Sequence, residues 1–403
     1  MTNIDEAELV NQGGLPPDDF HEYIERIREV ADYNLEVPQE LLARLTKETS
    51  DLLVDSDLLT VAATAIKCGH IVIQGPPGTG KSSLARAICR AFHCEAIQAT
   101  AHEDWSVFEV VGRQSLQVTA DGKEHIVPVN GVFTEAAIQC ANAIVRHSDS
   151  TDEPQAAWLI VDELNRAQVD RAFGELFTIL GTDELVPITL LHQRDGNNEL
   201  VTPKRFRIIA TLNSIDRQFV NGLGQGLKRR FTFLTLDIPK RRKANESWGS
   251  SDTSASAASK EFSVVIRRAA KRVADRETSS KDELLNLLNT RANPSVVSFF
   301  NLVEKLRYAE KGSGTPYIPV GTAQLIDVVE LFLERLLLEH VNDTELGEVM
   351  DWSASVKLTP LFDTDTISPT DLEQFADSLS TPFDHNFKRE LQQIVAAGQY
   401  YVV

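Results

Sequence analysis

A short glycine-rich stretch, GPPGTGKS at residues 75–82, constrains the fold of this chain more than any other feature of its sequence. It follows the apolar run His70–Gln74, which predicts a buried strand, and it precedes the helical pattern SSLARAICRAF. Glycines let the backbone turn tightly enough for several N–H groups to face one anion, and the helix adds the positive end of its dipole. The order of strand, glycine-rich turn and helix therefore predicts a loop that binds phosphate groups.

The spacing of this loop matches the pattern G-x-x-x-x-G-K-[ST] of nucleotide-binding proteins. Lys81 is expected to reach the β- and γ-phosphates of a nucleoside triphosphate, and the Ser82 hydroxyl is expected to bind Mg²⁺. The predicted cofactors are thus ATP or GTP together with Mg²⁺. The residues expected to hold the phosphates are Gly75, Pro76, Pro77, Gly78, Thr79, Gly80, Lys81, Ser82 and Ser83.

The rest of the pattern predicts an α/β fold, a doubly wound parallel sheet with inserted β-hairpins, followed by an all-helical lid domain. The five apolar runs expected to form the sheet are His70–Gln74, Glu95–Ala99, Trp158–Asp162, Arg207–Leu212 and Phe231–Leu236. Hairpins are predicted within 107–133 and 185–201. The predicted domains are an N-terminal helical extension (1–50), the nucleotide-binding core (51–240), a Ser- and Ala-rich flexible linker (241–260) and helices (261–403).

Two acidic residues, Asp162 and Glu163, end the strand WLIVD, at the edge where a parallel sheet places its ligands. Asp162 is expected to orient the magnesium ion and its waters, and Glu163 to polarise the attacking water. An apolar run that ends in acids is common by itself. Its position after a phosphate-binding loop favours the functional interpretation.

Two later segments complete the candidate site. Asn213 ends the run RIIATLN, where its amide is expected to hold the lytic water or the γ-phosphate, although Asn at a strand end is also a common turn former. Arg229 and Arg230 end a predicted helix just before a strand. At least one of them is expected to act in trans on a neighbour's nucleotide, the alternative being cations that complement a helix terminus.

The composition sets limits on partners and location. A net charge of −19 argues against a broad nucleic-acid-binding face, so nucleic acid is expected only through a partner or a basic pore. The four cysteines form no C-x-x-C pair, which argues against zinc and fits a reducing compartment. No signal peptide and no membrane-spanning run is predicted, so we expect a cytoplasmic protein.

These motifs resemble those of a known family. The segment DELNRA at 162–167 is similar to the signature of the MoxR and McrB-like branch of AAA+ ATPases, and LNSIDR at 212–217 is similar to a segment of McrB-type motors. Arg229-Arg230-Phe231 resembles the arginine-finger region of that branch, and the two hairpins fit its inserts. The resemblance covers about Leu58 to Asp237.

This resemblance implies a ring, most often a hexamer, with nucleotide between subunits and hydrolysis coupled to the remodelling of a partner. It also makes Arg166 and Arg217 candidates for contacts between subunits, or else for surface ion pairs. The sensor-2 arginine that lid domains often carry is missing at 293–295 and at 321–323. Either Arg291 takes that role or the chain lacks it.

Three functions remain open at this point. The first is a McrB-like motor of a bacterial defence or restriction system, which needs a separately encoded effector. The second is a MoxR-type chaperone that activates a partner with a von Willebrand factor A domain. The third is a nucleotide-gated scaffold with little hydrolysis, which the intact Lys81, Asp162 and Glu163 disfavour.

Overall fold

Five short strands, each buried along most of its length, form the centre of a computed structural model of this chain. The structure describes residues 29–118, 124–180, 185–189, 199–213, 225–243, 246–249, 257–277, 279–310, 312–338, 341–362 and 367–399. By its contacts the chain divides into two units. The first comprises Met1–Ser50, Val54–Gln74 and Lys81–Thr235, and the second comprises Asp51–Leu53, Gly75–Gly80 and Leu236–Val403.

The strands of the first unit occur where the apolar runs predict them. They are β1 (His70–Gly75), β2 (Glu95–Thr100), β5 (Ala157–Asp162), β8 (Ile208–Asn213) and β9 (Phe231–Thr235), in the sheet order β2-β5-β8-β1-β9. The sheet is parallel, with Glu95 opposite Ala157, Leu159 opposite Ile208 and His70 opposite Phe231. The predicted α/β fold with a parallel sheet is confirmed.

Within the described ranges, the α-helices of this unit lie around the sheet in the following chain order. They are α1 (Leu41–Glu48), α2 (Ser56–Cys68), α3 (Lys81–Ala91), α4 (Val107–Val110), α5 (Val132–Asp149), α6 (Val169–Phe173) and α7 (Gln225–Arg230). Helices α3 and α5 both pack on β5 and β2. Their buried faces are rich in Ala, Ile and Leu, which fit closely against the β-branched strand residues. Residues 1–28 of the predicted N-terminal helical extension lie outside the described residues.

Two antiparallel hairpins interrupt the alternation of strands and helices. Strands β3 (Gly112–Val118) and β4 (Glu124–Asn130) form one, and β6 (Pro187–Thr189) and β7 (Glu199–Val201) form the other. The first hairpin is shorter than the predicted segment 107–133, because a capping box between Ser106 and Glu109 starts helix α4 there. The turns predicted at Asp121-Gly122 and at 195–198 lie outside the described residues.

The second unit is helical. It contains α8 (Ala257–Ala274), α9 (Lys281–Asn289), α10 (Asn293–Arg307), α11 (Thr322–Leu338), α12 (Leu346–Leu358), α13 (Pro369–Ser378) and α14 (Asn386–Gln399). Its apolar core runs from Phe262 to Val395. Helix α8 begins at Ala257, inside the segment predicted as a linker. None of the helices in the described ranges is long and apolar enough to cross a membrane.

Candidate functional site

The carboxylate of Asp162 is the centre of the polar cluster at the carboxyl end of the sheet. The Ser82 hydroxyl donates to Asp162 Oδ1 at 2.6 Å, and the Thr211 hydroxyl donates to the same oxygen at 3.0 Å. The Gln98 side-chain amide donates to Asp162 Oδ2 at 2.5 Å. Strands β2, β5 and β8 are neighbours in the sheet, so their ends deliver Gln98, Asp162 and Thr211 to one place. The structure therefore brings Ser82 and Asp162 together, as the motifs predict.

Lys81 opens helix α3 and is buried, with 8% of its surface exposed. Desolvation lowers the pKa of its ammonium group from 10.5 to about 8, while the charges of Asp162 and Glu163 act in the opposite direction. The two carboxylates thus favour the charged form of the buried ammonium group. A charged lysine at the start of this helix is what the predicted contact with nucleotide phosphates requires.

The oxygens of Ser82 and Asp162 suit a magnesium ion. The Ser82 hydroxyl and the nearer Asp162 oxygen are 2.6 Å apart, close enough to be two ligands of one ion. Among the described residues, no group of three or more His, Cys, Asp or Glu side chains could hold a metal ion. One carboxylate and one hydroxyl, completed by water and phosphate oxygens, are the ligands that Mg²⁺ accepts, since it rarely uses a cage made only of protein. These two residues fit Mg²⁺.

Glu163 is held by its backbone and by an ion pair. Its φ of 56° and ψ of 42° place it in the left-handed region, which is uncommon for a residue with a side chain. Its N–H donates to the Thr211 hydroxyl at 3.0 Å. Its carboxylate lies 2.7 Å from the Arg166 guanidinium group. Thr211 thus links Asp162 and Glu163, and Arg166 contacts the carboxylate that is expected to polarise water.

Asn213 ends strand β8 at the same edge of the sheet as Asp162. Its N–H donates to the side-chain oxygen of the buried Asn165 at 3.4 Å. The residues that follow in the McrB-like segment, including Arg217, lie outside the described residues. Asn165, Thr211 and Gln98 are polar residues of this cluster that were not among the predicted site residues. Asn165 belongs to the segment DELNRA, and Thr211 stands two residues before Asn213, so both lie close in sequence to predicted site residues.

Residues Gly75–Gly80 form the glycine-rich turn itself and have their contacts in the second unit. Gly78 and Gly80 have φ values of 77° and 95°, which side-chain-bearing residues rarely adopt. The Thr79 hydroxyl donates to the Pro76 carbonyl oxygen at 2.9 Å, which closes the turn. Arg291, the alternative sensor-2 candidate, binds the Asp343 carboxylate and the Val341 carbonyl group.

Arg229 and Arg230 lie at the opposite edge of the sheet from Asp162. They precede Phe231, the first residue of β9, which pairs with His70, the first residue of β1. A strand of this length separates the two edges by roughly 15–20 Å. Arg230 donates to the carbonyl groups of Phe177 and Gly226, whereas Arg229 is exposed. The two arginines do not join the cluster around Asp162.

A cavity of about 520 Å³ opens at this edge of the first unit. Its basic lining residues are Lys67, Lys204, Arg207, Arg229 and Arg230. Lys204 is paired with Asp32 at 2.5 Å, and Arg207 donates to backbone carbonyl groups, among them that of Ile66 at 2.7 Å. In the described part of the chain Arg229 has neither a hydrogen-bond nor an ion-pair partner. It is therefore an exposed cation of this edge that is available to a second molecule.

The part of the chain from the first strand of the sheet, β1, to the start of β9 matches a family model. Residues 70–231 fit the family model described as AAA domain, dynein-related subfamily. These residues, less than half of the chain, are similar in sequence to an AAA domain. The five-stranded parallel sheet agrees with that similarity, and so does the glycine-rich turn between β1 and α3.

AAA domains bind and hydrolyse nucleoside triphosphates, so this similarity supports the predicted nucleotide-binding class of the chain. No curated protein matches the chain significantly in sequence. The cluster around Asp162 and the buried Lys81 lie within the matched residues. The MoxR and McrB-like branch remains a prediction from the resemblance.

Proposed function

We propose that this chain is an AAA+ nucleoside triphosphatase that hydrolyses ATP or GTP with Mg²⁺ in a ring, most often a hexamer, and remodels or activates a partner protein. The observation that carries the proposal is the contact between Ser82 and Asp162 beside the buried Lys81. A hydroxyl, a carboxylate and an ammonium group in one place are what a magnesium nucleotide requires.

Each residue of the cluster has a separate task in this proposal. Lys81 binds the β- and γ-phosphates, and the backbone N–H groups of the non-proline residues in 75–82 surround them. Ser82 and Asp162 hold Mg²⁺, which when bound neutralises charge on the phosphate oxygens. Glu163 accepts a hydrogen bond from the attacking water and polarises it. Asn213 binds that water or the γ-phosphate and orients it for attack. Thr211 holds Asp162 and Glu163 in position relative to each other through its two hydrogen bonds.

The position of Arg229 supports a site shared between subunits. One copy has the cluster around Asp162 at one edge of its sheet and Arg229 at the other, so the arginine is out of reach of its own nucleotide. In a head-to-tail ring every subunit presents one edge to the next. The exposed Arg229 then supplies the cation that stabilises charge on the γ-phosphate, with Arg230 beside it.

The resemblance of 162–167 and 212–217 favours a McrB-like motor of a bacterial defence or restriction system with a separately encoded effector. Co-purification with the products of neighbouring genes tests this role. A nuclease that co-purifies would support it, and a von Willebrand factor A protein would instead indicate the chaperone function.

The nucleotide-binding step is tested by Lys81→Ala. Calorimetric titration with a slowly hydrolysed ATP analogue, and in parallel with the corresponding GTP analogue, is expected to show binding by the wild type and none by the variant. The loss follows from removing the main side-chain charge on the phosphates. Lys47→Ala, which removes an exposed lysine of helix α1, is the matched control and should bind normally. Unchanged affinity of Lys81→Ala would exclude the proposed site.

A further inference from the structure

The start of helix α11 packs directly on the glycine-rich turn, and both belong to the second unit. The Ala323 N–H donates to the Gly78 carbonyl oxygen at 2.9 Å. A Cβ atom on Gly321 would lie 2.3 Å from the Pro77 carbonyl oxygen, so only glycine allows this approach. The Gln324 carboxamide oxygen accepts from the Gly321 N–H and lies 2.7 Å from where a Cβ of Gly78 would stand. Residues 321–324 therefore contact two adjacent peptide groups of the turn, those of Pro77 and Gly78.

A buried ion pair holds the chain on both sides of Gly321. The carboxylate of Glu261 and the guanidinium group of Arg307 form two hydrogen bonds, of 2.5 and 2.9 Å. Arg307 also donates to the Val320 carbonyl oxygen at 2.7 Å, and the Thr322 hydroxyl donates to Glu261 at 2.6 Å. The two immediate neighbours of Gly321 are thus bonded to the same ion pair.

The burial of this pair makes its geometry stiff. The Glu261 side chain is 0% exposed and that of Arg307 is 3% exposed. A buried pair gives little net stability over apolar residues of the same size, but displacing one member leaves the other charge without a partner at a high cost. Much of the surrounding core is apolar. The distinctive property of the pair is therefore that it fixes the positions of Val320 and Thr322.

We propose that Glu261, Arg307 and Thr322 are positioning residues for the phosphate-binding loop. They hold residues 320–324 so that Gly321 and Ala323 keep the Pro77 and Gly78 peptide groups in the conformation that binds phosphate. Gln324 completes the contact. The inference rests on the proposed nucleotide-binding function and adds to it a set of residues, distant in sequence, that determine the affinity of the site.

The test compares Thr322→Val, which removes the hydroxyl and keeps the shape, with Thr322→Ser, which keeps the hydroxyl. Thr322→Val is expected to raise the Kd of the ATP or GTP analogue by roughly five- to tenfold, the effect of losing one ordinary hydrogen bond. Because the loop holds substrate and transition state alike, KM should rise with kcat changed by less than about twofold. Thr322→Ser should restore the wild-type Kd. Gln324→Ala, which loses the contact with the turn and the hydrogen bond from the Gly321 N–H but leaves the ion pair intact, should also raise the Kd and serves if Thr322→Val does not fold.

Thr359→Val is the matched control. Thr359 is a buried threonine of the same unit whose hydroxyl donates to the Ser355 carbonyl oxygen at 2.7 Å. It should lose a similar amount of stability in thermal unfolding and keep the wild-type Kd. A wild-type Kd for Thr322→Val, or an equal rise for Thr359→Val, would overturn the positioning role. If Lys81→Ala still abolished binding, the proposed function would survive that result. Normal binding by Lys81→Ala would instead remove the function on which this inference rests.

Discussion

At the scale of single residues, the candidate site combines a strained backbone at Glu163 with hydrogen bonds that its neighbours share. Glu163 keeps a left-handed conformation that costs roughly 1–2 kcal/mol for a residue with a side chain. Its N–H bond to Thr211 offsets part of that cost, and the same hydroxyl bonds to Asp162. The strained residue is also the one expected to act on water, which fits the concentration of such strain at functional sites.

Replacement of Glu163 separates binding from turnover. Glu163→Gln should bind nucleotide like the wild type, because Lys81, Ser82 and Asp162 are untouched. Its turnover should fall by about a hundredfold or more, since an amide does not polarise water as a carboxylate does. The trapped nucleotide-bound state should favour the assembled ring in sedimentation. Steady-state hydrolysis is the measurement, with Glu135→Gln, an exposed carboxylate of helix α5, as control; near-normal turnover would show that Glu163 is not the catalytic carboxylate.

At the scale of elements, the strands and the glycine-rich turn could be predicted because their signals are local. Five apolar runs and a helix after GKS suffice for them. Asp162 and Ser82 were paired from the known chemistry of the motif. Gln98 and Thr211 reach Asp162 because strands β2 and β8 lie on either side of β5 in the sheet. The order of strands in a sheet cannot be read from the spacing of residues along the chain.

Polar residues occupy part of the buried face of one helix in the second unit. Helix α12 (Leu346–Leu358) lies in the predicted helical region 261–403, but its buried face includes Asp351, Ser353 and Ser355, which obscure the apolar period. Asp351 accepts the Asn386 and Phe387 N–H groups at the start of helix α14, at 2.6 and 3.0 Å.

The Ser-rich segment predicted as a linker contains Trp248. This side chain packs 5.1 Å from the Phe300 ring and donates to Asn301 at 2.9 Å. The composition of the segment indicated a solvated chain, but a single large aromatic residue was enough to dock its described part in the helical core.

The edge of the sheet that carries the arginines contains a histidine with a pH-dependent role. His70, the first residue of β1, accepts the Ile208 N–H through Nδ1 at 3.0 Å, so it ties the starts of β1 and β8. Desolvation and, to a lesser degree, the charge of Arg207 lower the pKa of His70 from 6.5 to about 3. The pKa of His70 is lower in the folded state than in the unfolded state. The contribution of neutral His70 to the free energy of unfolding is therefore present above pH 6.5 and is lost as the pH falls toward 3.

His70→Asn offers an acceptor oxygen near the position of Nδ1 without a group that titrates in this range. Between pH 6.5 and 4.5 the free energy of unfolding should therefore decline less for the variant than for the wild type. The difference between the two slopes should be up to about 1.4 kcal/mol per pH unit, the value for one proton. Urea unfolding at a series of pH values measures this slope. His102→Asn, at an exposed histidine of the same unit, should leave the slope unchanged. Parallel curves for His70→Asn and the wild type would contradict the role given to the imidazole.

At the scale of the whole molecule, the proposal that Arg229 acts in trans implies that an isolated subunit is an incomplete enzyme, because Arg229 lies far from Asp162 in its own chain. Arginine fingers of related phosphoryl-transfer proteins are worth on the order of a thousandfold or more in rate. Turnover per subunit should then rise with protein concentration until the ring has formed. Arg229 is the better target for mutation, because Arg230 also supports the backbone at Phe177 and Gly226.

Mixing two inactive variants tests the shared site. Lys81→Ala subunits keep their arginines, and subunits with Arg229→Ala, alone or with Arg230→Ala, keep their phosphate-binding loop. In equal mixtures on the order of a quarter of the interfaces of a head-to-tail ring combine an intact loop with an intact arginine, so measurable hydrolysis should return.

Lys81→Ala mixed with Glu163→Gln is the control for this experiment. Both residues serve the nucleotide of their own chain, so no interface in that mixture is complete and hydrolysis should stay low. A monomer that hydrolyses at a concentration-independent rate in sedimentation conditions would rule out the shared site.

The membership of Gly75–Gly80 in the helical unit has a thermodynamic consequence. Binding free energies are reciprocal: if nucleotide on this turn changes the affinity of residues 236–399 for another molecule, that molecule changes the affinity for nucleotide by the same factor. A client that binds the helical unit about tenfold more tightly in the presence of nucleotide must itself tighten nucleotide binding about tenfold. Client and nucleotide would then regulate each other through the two peptide groups of Pro77 and Gly78, without touching.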